Sequence, residues 1–250
     1  MSSLERAISL REQRRKEQKP QERAIKDLRV YYTGLPEKAL YPFDYRYVEI
    51  FLNILRKKGL VCPSYHHLYI LVAKTIDECL MHSIPYENWY VYGLSVINYD
   101  EYLNQSELQK EQTVFNIIVS GLKDIAEIDK LDMSTIEAVT KEIKLKGLDT
   151  ELEHLTIDDK KYKVTITYYS KSKEEGNPVY LNLLEKSTGK SSRKQIGNTT
   201  QDQLYYWISK ININNNHIKI KARNSSVRAD LYLQDKPRNM EFSIKDLINE

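Results

Sequence analysis

Between Ser106 and Asp129 the apolar residues Val114, Phe115, Ile118, Leu122, Ile125 and Ala126 recur at three- and four-residue spacing, which predicts one buried face of a long helix. Ser106 followed by Gln109 has the form of a capping box, in which each residue's side chain satisfies the other's backbone N–H. Gly121 lies inside this pattern at a cost of about 1 kcal/mol against alanine, so close packing against that glycine is expected to compensate. A central helix is therefore the element around which the chain is expected to organise.

Elsewhere in the first 150 residues the helical period returns. Residues 1–29 are rich in Arg, Lys, Glu and Gln with a thin stripe of Leu4, Ala7 and Ile8, the pattern of a charged helical arm. From Asp44, a candidate N-cap, Tyr47, Val48, Phe51, Leu52 and Leu55 make a helical face that Gly59 closes. Leu68, Leu71, Val72, Ile76, Cys79 and Leu80 predict a second helix over 64–81, ended before Pro85. The aromatics between Tyr86 and Leu103 follow no clear period. Ser134 and Glu137 form a second candidate capping box, with Ile136, Val139, Thr140 and Ile143 behind it and Gly147 at the end.

At Tyr162 the period changes to two, with Tyr162, Val164, Ile166 and Tyr168 on one side and Lys161, Lys163, Thr165 and Thr167 on the other. This places a domain boundary near 148–160. Strands are expected at 179–185, up to Ile196, and at 217–223, 228–233 and 240–244, with a turn at 187–189, a turn-rich break at 212–216 and one helix after Thr200. The resulting expectation is an α+β fold: an arm (1–29), a helical half (30–150) and a small, mostly antiparallel sheet half with one helix (151–250).

Composition narrows the functional classes. The 250 residues are 41% hydrophobic and 29% charged, ordinary for a globular protein, but they include 19 Tyr against 4 Phe and 2 Trp. Buried tyrosines need partners for their hydroxyls, and exposed ones favour binding surfaces. The net charge of +3 is uneven: +4 over 1–29, −7 over 30–155 and +6 over 156–250. No segment reaches the roughly 20 apolar residues of a membrane span and the start of the chain has no signal-peptide core, so a cytoplasmic protein without membrane partners is expected. Cys62 and Cys79 imply no disulfide framework.

Three patterns in the sequence bear on chemistry. The run Leu184 to Ser191, LEKSTGKS, ends like a phosphate-binding loop, but it lacks the leading glycine and precedes a predicted strand, so a hairpin turn is expected. Cys62, His66, Cys79 and His82 have zinc-like local spacing, but on one helix His66 and Cys79 would stand about 19.5 Å apart, which also excludes a Cys62–Cys79 disulfide. No G-x-S-x-G elbow or H-E-x-x-H motif occurs, and adjacent carboxylates such as Asp158–Asp159 and Glu174–Glu175 diverge on a strand. No catalytic residue, metal site or cofactor is therefore expected.

Two binding readings remain. The first is a non-catalytic module that occupies another protein's surface, in the style of toxin-neutralising immunity proteins or viral and phage assembly factors, an analogy with no motif behind it. If that partner were a basic toxin, the acidic middle would face it. The alternative is nucleic-acid binding through Lys190, Arg193, Lys194, Lys219, Lys221 and Arg223. Over residues 161–211 the three strands, Gly189-Lys190, Arg193-Lys194, Gly197 and the Thr-led helix resemble integrase-type three-strand-plus-helix DNA-binding domains. That resemblance implies a sheet face in the major groove, with Lys190, Arg193 and Lys194 on phosphates or base edges.

Overall fold

The computed structural model describes residues 3–17, 22–84, 89–170, 176–214, 216–223, 227–233 and 235–249. The fold is α+β, and the chain divides into two compact units, Met1–Leu148 and Asp149–Glu250. Among the described residues no helix is long and apolar enough to cross a membrane.

The first unit opens with α1 (Ser3–Glu17), β1 (Arg23–Ala24) and β2 (Asp27–Tyr32), so the segment read as an arm already contains the start of a sheet strand. It continues with α2 (Phe43–Lys57), β3 (Val61–Cys62), β4 (His67–Ala73), α3 (Ile76–His82), β5 (Tyr90–Val96), α4 (Tyr99–Leu103), α5 (Glu107–Asp129) and α6 (Met133–Lys146). Strands β2, β4 and β5 form a parallel sheet in that order, while β1 and β3 pair as a short antiparallel ribbon.

The parallel sheet corrects the expectation of a mainly helical first half. The helix predicted over 64–81 is instead β4 followed by α3. Leu68 to Ala73 are all buried, as befits a parallel strand covered on both faces, and such a run reads equally well as a helix face by spacing alone. Thr75 then starts α3 through a capping box with Glu78. Of the segment 86–103, residues 86–88, like Pro85, lie outside the described residues; the rest holds β5 and α4, the latter capped by Asn98.

Helix α5 follows its pattern closely. Gln109 Oε1 accepts the Ser106 N–H at 2.9 Å, and Val114, Phe115, Ile118, Leu122, Ile125 and Ala126 are buried. Gly121 lies against Gly93 of β5 and Ile70 of β4, so the helix backbone sits directly on the sheet. Helix α2 starts one residue before Asp44, with Pro42 in the cap position and Asp44 in the first turn, where a negative charge suits the helix N-terminus. Helix α6 is capped by Asp132, whose carboxylate accepts the Ser134 and Thr135 N–H groups, and not by Ser134.

Three buried or half-buried tyrosines of this unit donate to carboxylates. Tyr32 donates to Asp44 Oδ2, Tyr47 to Glu111 Oε1 at 2.8 Å and Tyr65 to Asp129 Oδ2 at 2.8 Å. Burial first, and then the neighbouring carboxylate, push the Tyr32 and Tyr47 phenols up from their ordinary value. Part of the acidity of the middle segment is thus spent inside the unit as tyrosine acceptors.

The second unit contains β6 (Glu151–Asp158), β7 (Tyr162–Tyr169), β8 (Asn177–Glu185), β9 (Ser191–Thr199), α7 (Gln201–Trp207), β10 (Lys210–Asn214), β11 (His217–Lys221), α8 (Val227–Tyr232), β12 (Asn239–Ser243) and α9 (Ile244–Asn249). Strands β6 to β9 form an antiparallel meander and β10 to β12 a second one. Residues 151–158, read as part of a boundary, are the first strand, and 212–214, read as a break, belong to β10. Residues 228–233 are mostly helix because Ala229 and Leu233 are buried at four-residue spacing. The single expected helix becomes α7, α8 and α9. The core of the unit collects Leu152, Val164, Ile166, Val179, Leu181 and Leu183 from one sheet face with Leu204 and Trp207 of α7.

Candidate functional site

In a strand, alternate residues share a face, and the register of the parallel sheet gathers a group that sequence spacing did not single out. Asp27, Arg29 and Tyr31 of β2 lie on the same face as His67, Tyr69 and Leu71 of β4 and Tyr90, Tyr92 and Leu94 of β5. Helix α3 packs on the Leu71, Ala73 and Leu94 end of this face through Cys79, whose thiol donates to the Leu71 and Ser95 carbonyls. The other end carries rings. Tyr31 meets Tyr69 edge-on at 5.0 Å, Tyr69 lies 5.1 Å from Tyr90, and Trp89 lies 4.8 Å from Tyr90 and 4.7 Å from His67. Tyr69 is nearly buried at 5%, whereas Tyr31 is 36% exposed.

Charge surrounds the rings. Arg29 Nε donates to Asp27 Oδ2 at 2.6 Å and its guanidinium stands 5.9 Å from the Tyr69 ring centre. Asp27 Oδ2 also lies 3.9 Å from His67 Nε2, and the Nδ1 atoms of His66 and His67 are in hydrogen-bond contact. Both imidazoles are held below their ordinary pKa. Partial burial is the leading cause; for His66 the other imidazole, Lys26 and Arg23 add to it, while for His67 Asp27 opposes it and Arg29, Lys26 and Arg56 add to it. Burial pushes the Tyr69 phenol up to about 12. The two imidazoles thus stay neutral near pH 7, Arg29 is paired with Asp27, and Lys26 and Arg23 add positive charge beside His66.

The zinc-like pattern disperses. Cys62 and Cys79 are free thiols buried in the unit, and among the described residues no three His, Cys, Asp or Glu side chains converge on a point that would hold a metal ion. His66 precedes β4 and Cys79 lies on α3, so the two do not share the one helix expected over 64–81. LEKSTGKS forms the β8–β9 hairpin: the Gly189 N–H donates to the Glu185 carbonyl at 2.8 Å and Gly189 adopts φ +72°.

The six cations proposed from sequence occupy several surfaces of the second unit. Lys190 is exposed beyond the hairpin turn. Arg193 lies on the open face of the four-stranded sheet, 2.9 Å from Glu151 Oε1 and 4.0 Å from the Tyr180 ring centre. Lys194 pairs in register with buried Leu181 and so projects to the opposite face. Lys219 and Lys221 share a face of β11, where Lys219 is 3.3 Å from Glu241 Oε1, and Arg223 lies 4.3 Å from the Tyr205 ring centre. The fourth strand β6 and the second sheet also depart from the three-strand-plus-helix pattern of integrase-type domains.

No family model, curated protein or solved structure matches the chain.

Proposed function

We propose that the protein is a binding module that recognises another protein through the aromatic and basic face of its first unit. The observation that carries this reading is the connected group Tyr31, Tyr69, Tyr90, Tyr92, Trp89 and His67 beside Arg29 on one sheet face. Tyr, Trp and Arg are the residues most enriched at energetic centres of protein interfaces, where a half-buried ring anchors and a charged rim steers. The positive rim asks for an acidic partner surface.

The test is affinity capture from source-cell lysate after nuclease treatment, with the unaltered chain and a Tyr31→Ser, Arg29→Glu variant of equal thermal stability. One stoichiometric protein retained by the first and lost by the second is the expected result. Complete loss of co-purifying material on nuclease treatment would instead favour the nucleic-acid alternative, and equal capture by both chains would remove this face from consideration.

A further inference from the structure

The second unit carries a different surface. On the outward side of the four-stranded sheet, Glu151, Glu153, Thr156 and Asp158 of β6, Lys163, Thr165, Thr167 and Tyr169 of β7, Tyr180, Asn182 and Leu184 of β8 and Ser191, Arg193 and Gln195 of β9 are all half-buried or exposed. A cleft of about 420 Å³ lies there, lined chiefly by Lys163, Thr165, Asn182, Leu184, Ser191 and Arg193. The register arranges these six as two rows, Lys163–Leu184–Ser191 and Thr165–Asn182–Arg193. Cross-strand neighbours stand about 5 Å apart, and rows two residues apart about 7 Å. The patch therefore has the footprint of a single six-membered ring with its substituents.

Three of the groups in it, Thr165, Asn182 and Arg193, are fixed by their own hydrogen bonds. Asn182 Nδ2 donates to Thr167 Oγ1 at 2.7 Å and to the Thr165 carbonyl at 3.3 Å, and these bonds do not use its Oδ1 acceptor. Thr156 and Thr165 hydroxyls share a bond of 3.1 Å. Arg193 is held by Glu151, by the Tyr169 hydroxyl and by the Tyr180 ring. Short side chains fixed in this way lose little rotamer freedom on binding, which suits a ligand that makes many modest hydrogen bonds. Leu184, 37% exposed, offers an apolar spot for a C–H face.

Charge then selects within that class. Glu151 neutralises Arg193, and Asp158, the register neighbour of Lys163, is 2.5 Å from Lys186. Among the described residues Lys163 is in no ion pair, so it is the lining cation open to a ligand's carboxylate. A phosphate dianion would call for a second free cation or a nest of backbone amides; one carboxylate is the match. We propose that this cleft binds a sugar acid, a hydroxyl-rich pyranose ring with its carboxylate on Lys163, its hydroxyls on Asn182 and Ser191 and its C–H face on Leu184.

The experiment titrates the full chain with sodium glucuronate and follows backbone amide NMR shifts. Saturable shifts centred on Thr165, Asn182 and Arg193 are expected, with a Kd of about 1 mM for a ligand of this size. Glucose, which lacks the carboxylate, and acetate, which lacks the ring, should each bind roughly tenfold or more weakly, and Lys163→Met should lose about tenfold at unchanged thermal stability. Lys190→Met, in the neighbouring turn, should bind as the unaltered chain does. Absence of saturable shifts with glucuronate, equal binding of glucose, or an indifferent Lys163→Met would each overturn the assignment.

Discussion

The close approach of α5 to the parallel sheet makes a quantitative prediction. A Cβ added at Gly93 would stand 2.1 Å from the Gly121 carbonyl oxygen and 2.8 Å from its carbon, whereas one added at Gly121 would stand 2.6 and 2.8 Å from Ile70 Cγ2 and Cγ1. The first obstruction is helix backbone, held by the rest of α5, and it yields only if the helix moves off the sheet. Overpacking a core costs about 1–3 kcal/mol, occasionally more, and Gly93→Ala should lie at or above the top of that range. Gly121→Ala meets a side chain that can shift and regains about 1 kcal/mol of helix propensity, so its net cost should be about 1 kcal/mol. For a chain of this size each kcal/mol moves the melting temperature by roughly 2–4 °C. The two tryptophans report the units separately, Trp89 in the first and Trp207 in the second. Fluorotryptophan NMR during urea unfolding should therefore show an earlier Trp89 transition in Gly93→Ala and an unmoved Trp207 transition. In an Ile70→Ala background, Gly121→Ala should become neutral or stabilising, because the obstructing atoms are gone. A Gly93→Ala protein as stable as Gly121→Ala, or strictly additive costs for the Ile70 and Gly121 changes, would refute the close-contact reasoning.

The remaining predictions concern groups whose ionisation the fold controls. Burial first, and then Asp129, push the Cys62 thiol up to about 12, and Cys79 is fully buried, so an exposed-thiol reagent should label neither in the native protein and both after unfolding. His154 is half-buried, with Nε2 2.7 Å from the Ile208 carbonyl, and burial lowers its pKa from 6.5 despite that hydrogen bond. Its neutral form belongs to the folded state, so its stabilising contribution is complete above pH 6.5 and is lost as pH falls through the lower folded value. The Trp207 transition should weaken on acidification below pH 6.5, and a His154→Gln variant should lack that component; an identical pH dependence in both would contradict this account.

The α+β class was legible because the period of the second half is two and that of α5 is near 3.6, and period survives in a single sequence. Val164, Ile166 and Tyr168 are buried on alternate positions, and the Ser106–Gln109 box opens α5 where it was expected. The parallel sheet was not legible for a physical reason. A strand covered on both faces shows no alternation, and Leu68 to Ala73 therefore carries the same hydrophobic content as a helix. The aromatic face was hidden by the same error, since Tyr69 joins Tyr31 and Tyr92 only once β4 is a strand in register with β2 and β5. One signal was present: Asp27-x-Arg29-x-Tyr31, His67-x-Tyr69 and Tyr90-x-Tyr92 each alternate at period two. At 228–233 the opposite mistake occurred, because a six-residue helix is too short to declare a period.

The basic C-terminal half illustrates why a charge count does not define a surface. Six cations contribute to one field only if the fold turns them the same way, and a strand turns neighbours apart, so Arg193 and Lys194 face opposite sides of the sheet. Arg193 is compensated by Glu151 and Lys219 by Glu241, which removes two of the charges from any long-range attraction. Strand β9 supplies a further reason for positive charge at these positions. It ends the four-stranded sheet, and a nine-residue terminal strand offers unpaired backbone groups to any other chain. Cationic side chains along such an edge repel an identical edge on another molecule, and the register shift between Val179 and Tyr180 twists the strand away from a flat pairing geometry. Lys190 and Lys194 thereby suit the edge they border, and among the described residues the open-face cation in no ion pair is Lys163, on a different strand and lining the cleft.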